Sequence, residues 1–131
     1  MLPHDYVVTS AVTSATNDSA EVEFRLDPDW LYFKGHFLAS PLLPGVTQLD
    51  FACNFFRLLF KTEPEVASIP CMKFLRPQLP GDTVRLSLKF ERKSGRLNFV
   101  YYLLSPEGPD TEALYADVCV VTASKGCLKL H

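Results

Sequence analysis

Three residues in one stretch of this chain have the types that an acid–base reaction needs. His36 follows Gly35, Gly45 follows Pro44, and Asp50 is the sole formal charge between Lys34 and Arg57. Histidine titrates close to neutral pH and so suits a general base. Gly35 lets the backbone turn tightly or approach a ligand, and Pro41 and Pro44 stiffen the loop that follows. An aspartate inside an apolar helix is costly to bury unless it is paired. The first backbone N–H groups of a helix have no intrahelical partners and sit at its positive end. Placed there, Gly45 could hold a carbonyl oxygen that gains negative charge. Each residue also has a plainer reading: a structural or solvated histidine, an aspartate satisfied by a neighbouring backbone or hydroxyl group or reaching the surface at a helix end, a glycine needed only for the turn. There is no Gly-x-Ser-x-Gly, no phosphate loop and no dinucleotide fingerprint. A base, an acid and a donor site without nucleophile or cofactor fit proton abstraction beside a carbonyl, with loss or movement of a group. That is the chemistry of a dehydratase or an isomerase.

The elements that must position these groups follow from periodicity. A helix is expected from Gly45 or Val46 to about Leu59, with Pro44 suiting its entry. Val46, Leu49, Ala52, Cys53, Phe56 and Leu59 lie on one side, and Phe51, Phe55, Leu58 and Phe60 cover much of the rest, so the helix is expected to be buried nearly all round. Strands are expected at Tyr6–Val12 and at Ala20–Leu26, where Val22, Phe24 and Leu26 alternate with Glu21, Glu23 and Arg25. Val66–Leu75 is extended but holds Pro70, which removes a ladder donor and points to an edge or a bulge. Thr83–Glu91 alternates strictly, Lys93-Ser94-Gly95 reads as a hairpin loop, and Arg96–Leu104 as the return strand. Ala113–Thr122 is expected as one last strand, with residues 123–131 fading into a tail. The short connections make the later strands antiparallel. One helix across such a sheet is an α+β layer architecture, read as a single domain over residues 1–131 with its core at about 5–122.

Composition narrows the partners. An apolar fraction of 47% and a charged fraction of 21% are those of a soluble globular domain. The net charge of −2 does not point to nucleic acid. Lys73, Arg76, Arg85, Lys89, Arg92, Lys93 and Arg96 nevertheless outweigh Asp82 and Glu91 within one segment. Such a segment is either a solvated strand face or a patch that steers an acidic partner. Cys53, Cys71, Cys119 and Cys127 have neither metal-ligand spacing nor a paired pattern. No signal peptide or membrane span is recognisable, so the expectation is a cytoplasmic protein with reduced thiols.

Gly35-His36-Phe37, Pro41, Pro44-Gly45-Val46 and an acid fourteen positions after the histidine resemble the 3-hydroxyacyl-acyl carrier protein dehydratases of the hot-dog fold. Lys73-Phe74-Leu75-Arg76-Pro77 and Pro80-Gly81-Asp82 resemble the second landmark of that family. Leu38-Ala39 stands where a Pro and a Gly often follow the His-Phe pair. Pro-Gly-Val-Thr-Gln-Leu-Asp is most similar to the ApeI-like thioester dehydratases of bacterial aryl polyene assembly. The resemblance implies that His36 takes the C2 proton of a 3-hydroxyacyl thioester and that Asp50 orients or protonates the departing hydroxyl. It further implies that the Gly45 N–H holds the thioester carbonyl and that the Leu42 carbonyl orients the imidazole. Phe33, Phe37, Phe55 and Leu59 would line an acyl tunnel. Lys73, Arg76, Arg92 and Lys93 would meet an acyl carrier protein, whose phosphopantetheine carries the substrate, so no cofactor or metal is expected. The resemblance also implies a site shared across a homodimer, or a heterodimer with a related hot-dog subunit. The rival activities are a hot-dog thioesterase and a non-catalytic acyl-binding partner subunit.

Overall fold

A computed structural model of the chain describes residue 3 and residues 5–30, 43–105, 113–115 and 118–130. Its described elements run in the order β1 (Tyr6–Thr13), β2 (Asn17–Arg25), α1 (Gly45–Phe60), β3 (Val66–Phe74), β4 (Thr83–Glu91), β5 (Arg96–Ser105), β6 (Ala113–Tyr115) and β7 (Val118–Leu130). The strands form one antiparallel sheet in the order β1-β2-β4-β5-β7-β3, with β6 paired to β7. The single described helix lies against one face of it, and the arrangement is the α+β hot-dog architecture that the sequence led us to expect.

Alternation decides which face of the sheet meets the helix. Ala20, Val22 and Phe24 of β2, Val84, Leu86 and Leu88 of β4, and Leu97, Phe99 and Tyr101 of β5 are all buried on that side. Register aligns them in rows across the sheet: Val22 opposes Leu86, and Leu86 opposes Tyr101. Helix α1 meets these rows with Phe51, Ala52, Phe55 and Phe56, each 0% exposed. Aromatic edges do much of the packing. Phe24 stands 5.6 Å from both Phe51 and Phe55, and Phe56 stands 4.9 Å from Phe90.

Pro70 has the effect its missing N–H requires. Among the described residues strand β3 pairs with β7 only, at the end of the strand order, and its register shifts between Val66 and Ser68 and again between Ser68 and Cys71. The β4–β5 hairpin closes as expected, with Gly95 at φ 71° where a side chain would be strained.

Two expectations are corrected. The last strand is not one run ending in a tail. Ala113–Tyr115 folds back on Val118–Val120 as β6 on β7, and β7 then continues to Leu130 between β5 and β3. Residues 123–130 are thus an inner strand. The local sequence Ser-Lys-Gly-Cys-Leu-Lys-Leu hides this because Gly126 breaks the strand pattern. Its place is fixed by packing: a Cβ there would lie 2.8 Å from the Phe99 ring and 2.7 Å from the Cys71 carbonyl oxygen. The helix, too, is not buried all round. Val46 is 79% exposed and Leu58 is 41% exposed, because the sheet covers one flank only.

Among the described residues, no helix is long and apolar enough to cross a membrane.

Candidate active site

Gly45 opens helix α1, directly after Pro44, which holds an extended conformation at φ −61° and ψ 149°. Among the described residues no side chain caps this end, and the first turn carries no acidic residue. The amides of a first turn point out of the helix at its electropositive end. Beside it lies a pocket of about 430 Å³ lined by Leu43, Gly45, Gln48, Phe74, Leu75, Arg76, Pro77 and Gln78. Phe74 covers Gly45 so closely that a Cβ at position 45 would lie 2.6 Å from the tip of its ring. Glycine thus lets the exposed Phe74 ring close over the helix start, and a side chain here would have to push that ring aside. Phe74 and Leu75 are themselves more than half exposed, so the pocket has an apolar rim open to the surroundings.

The polypeptide entering the helix is held from several sides. The Leu43 N–H donates to the Gln78 carbonyl at 2.7 Å, and the Gln48 side-chain amide donates to the Leu43 carbonyl at 3.1 Å. The Ser124 hydroxyl donates to the Gln48 side-chain oxygen at 2.6 Å and accepts from the Gln78 amide at 3.3 Å. The Tyr101 hydroxyl donates to the Gln48 backbone carbonyl at 2.5 Å. Burial, with smaller contributions from Cys53 and Asp50, pushes the Tyr101 phenol well above its ordinary pKa, so it remains a donor. Gln48, Gln78 and Ser124 were not singled out in the sequence. Two glutamines and a serine are unremarkable by type, and only the crossing of α1, β5, β7 and the loop after β3 brings them together.

Asp50 lies on the other flank of the helix, exposed. It accepts a hydrogen bond from the Asn54 amide at 3.1 Å, and Asn54 in turn accepts one from Arg57 at 2.9 Å. Arg57 reaches Glu63 at 3.0 Å. Asp50, Asn54 and Arg57 form a polar line along this flank, at the i, i+4 and i, i+3 spacings that place helical side chains together, and Glu63 extends it just beyond the helix end. Cys53 lies half-buried between the two flanks, and burial and the nearby Asp50 raise its thiol pKa against the opposing influence of Arg57. It belongs with the partly buried residues packed on the core and not with a nucleophile.

The other candidate residues separate. His36 and Leu42 lie outside the described residues, as do Phe33 and Phe37. Phe55 is fully buried against Phe24 and Tyr6, 5.2 Å from the latter ring, and Leu59 packs on the same core. Neither lines the pocket beside Gly45; both pack on the core of this subunit. A phenylalanine facing the core and one facing a cavity are identical in a helical pattern. The basic residues divide as well. Arg76 lines the pocket and Lys73 lies exposed on the strand leading to it. Arg92 instead pairs with the buried Asp18 at 2.7 Å, and its N–H donates to Thr16, bracing the β4–β5 hairpin against β2. Lys73 opposes Lys125 while Arg96, next to that hairpin, opposes Lys129. One strand, β7, and several residues therefore separate the two basic groups, about 10 Å across and 13 Å along the sheet. Lys73 with Arg76, and Arg92 with Lys93, thus form two groups on the sheet.

Known proteins carry the same frame. Residues 12–109 match the ApeI-like family, described as ApeI dehydratase. A crystal structure of an uncharacterized protein from Erwinia carotovora subsp. atroseptica superposes with a TM-score of 0.82 at 34% identity, covering 100% of this chain and 97% of that one. The dehydratase heterocomplex ApeI:P from Xenorhabdus doucetiae gives a TM-score of 0.72 at 31% identity, covering 96% of this chain and 97% of that one. The 3-hydroxyacyl-[acyl-carrier-protein] dehydratase FabZ of Roseiflexus castenholzii is 32% identical over 68 residues, 47% of this chain and 48% of that protein, so the match spans about half the length of that relative. With a helix that starts at Gly45, a pocket beside it and a family match across most of its length, the chain belongs to the ApeI-like dehydratase family.

Proposed function

We propose that this protein is a dehydratase that converts a 3-hydroxyacyl thioester on acyl carrier protein to the trans-2-enoyl thioester, in aryl polyene or fatty-acid-like biosynthesis. The observation that carries the reading is the division of helix α1: Gly45 opens onto a pocket, while Asp50 stands on a different, exposed flank. Five residues separate them, about 140° of rotation and about 7.5 Å of rise in an α-helix. One substrate carbonyl on the Gly45 N–H cannot readily meet Asp50 of the same helix. Two copies, or this chain and a related subunit, can supply the two groups to one site. The exposed Val46 and Leu58 beside Asp50, and Phe74 and Leu75 beside Gly45, give such a partner apolar surface to cover.

In this reading the thioester carbonyl accepts from the Gly45 N–H, which acidifies the C2 proton by stabilising the enolate-like charge. His36 takes that proton, with its ring oriented by the Leu42 carbonyl. The C2–H electron pair becomes the C2=C3 bond as the C3–O bond breaks. Asp50 from the partner subunit gives a proton to the leaving oxygen, which departs as water. Proton return from the imidazolium to the carboxylate through solvent resets the site. Arg76 at the pocket and Lys73 beside it suit the phosphate of a phosphopantetheine arm and an acidic carrier protein.

The test is direct. Purified protein, alone and mixed with a related hot-dog subunit, is given a 3-hydroxyacyl thioester on carrier protein, and 2-enoyl product and free thiol are both measured. Enoyl product that disappears in His36→Ala is expected. Free thiol in its place would show a thioesterase, and carrier affinity without turnover would show a binding subunit.

A further inference from the structure

The hydrogen bonds around the helix start form a connected relay that ends, among the described residues, on the backbone of Leu43, two positions before Gly45, and of Gln48. Its direction can be followed donor by donor. The Gln78 amide donates to the Ser124 hydroxyl, that hydroxyl donates to the Gln48 side-chain oxygen, and the Gln48 amide donates to the Leu43 carbonyl. The Gln78 backbone carbonyl closes the circuit by accepting the Leu43 N–H. Both backbone groups of the residue two positions before Gly45 are thereby fixed. Tyr101 adds a fourth support from β5 through the Gln48 backbone carbonyl.

A buried polar network is a costly way to fill space. Gln48 is 3% exposed, and Gln78 and Ser124 are both 0% exposed. The Gln78 side-chain oxygen is buried without a partner among the described residues, a cost that an apolar side chain would avoid. Elsewhere the same layer is filled by Phe51, Phe55, Phe99 and Leu86. The polar members are confined to the pocket end of the helix, and Gln48 and Gln78 both line the pocket. What such a relay supplies, and apolar packing does not, is direction. Backbone N–H groups serve a developing oxyanion only when held at the right angle beforehand.

We infer that Gln48, Ser124 and Gln78 are positioning residues for the dehydration, setting the Leu43–Gly45 backbone so that the Gly45 N–H points at the thioester carbonyl. The inference rests on the proposed function. The three residues act through the backbone and touch no reacting atom. Loss of the relay should therefore lower kcat, because carbonyl stabilisation grows in the transition state, and should leave KM nearly unchanged.

The experiment compares Ser124→Ala and Tyr101→Phe with Leu128→Ala, a cut in the β7 core outside the relay. Steady-state kinetics on a 3-hydroxyacyl thioester, melting temperature, and deuterium exchange of the backbone amides are measured for each. Ser124→Ala is expected to lower kcat by at least about tenfold with KM changed less than about twofold, since small misplacements at a reacting centre have effects of this order. Tyr101→Phe, nearly isosteric, should show the same split to a smaller degree. Leu128→Ala should lower the melting temperature at least as much yet keep kcat. Exchange should accelerate over residues 43–48 in the relay variants and not over β4. If Leu128→Ala loses as much kcat as Ser124→Ala, or if exchange over 43–48 stays at the wild-type rate, the positioning role is overturned. A wild-type protein without dehydratase activity would instead overturn the proposed function, and the exchange arm would still decide whether the relay orders the helix start.

Discussion

The two flanks of helix α1 share one backbone and differ in everything else. The inner flank carries Phe51, Ala52, Phe55, Phe56 and Phe60, all buried against the sheet. The outer flank carries Val46, Asp50, Asn54, Arg57 and Leu58, where an acid, an amide and a guanidinium are joined in a line beside exposed aliphatic residues. The inner flank holds the fold together through area removed from water. The outer flank contributes little to that and is free to hold chemistry and to meet another subunit. A helix can therefore serve both as core and as site if the two duties fall on different sides. Under the proposed function, the exposed apolar residues next to Asp50 serve that second duty.

That comparison is easiest to break with one substitution on each flank. Asp50→Asn should lower the dehydration rate by about 10²–10⁴-fold, the usual range for an acid–base group, with unfolding free energy nearly unchanged. Phe55→Ala should do the reverse in kind: about 3–5 kcal/mol lost in urea unfolding, as for a large buried aromatic, and activity retained wherever the protein remains folded. If Asp50→Asn unfolds the protein, or Phe55→Ala lowers kcat in the folded fraction, the division is wrong.

Gly45→Ala examines the point where the flanks meet at the helix start. The added methyl group must displace the Phe74 ring, whose tip would lie 2.6 Å away. Phe74 is 59% exposed and can swing outward, so we expect less than about 2 kcal/mol of destabilisation but a clear loss of activity. Adding Phe74→Ala should recover the melting temperature without recovering the rate. Smallest of all, Arg57→Ala should cost under about 1 kcal/mol, because the Arg57–Glu63 pair is exposed on both sides. A greater loss in the thermal unfolding of the isolated chain would show that the outer flank carries fold stability after all.

Much of the frame was legible because it rests on local rules. Strict alternation placed β2 and β4, Pro70 placed the irregular edge strand β3, and Pro44-Gly45 placed the helix start. Strand β7 was not legible beyond Thr122, since Ser124-Lys125-Gly126 interrupts the alternation before Cys127 and Leu128. Neighbouring strands on both sides make it a strand. In the candidate site, Gly45 and Asp50 were conspicuous by type in an apolar setting. Gln48, Gln78 and Ser124 were not, because a buried amide and an exposed one look alike until their partners are known.

By itself, then, the sequence determined the kinds of element, the face that each strand turns inward, and the residue types able to move a proton. Those depend on side-chain period and intrinsic chemistry, which are local. Tertiary structure alone decided that the helix buries only one flank, that Phe55 and Leu59 are core, and that the basic residues form two groups. It also decided that residues from α1, the loop after β3, β5 and β7 clamp the start of the helix. Each of these depends on which distant segments come within hydrogen-bonding or van der Waals reach, and that is set by how the sheet pairs and how the helix crosses it.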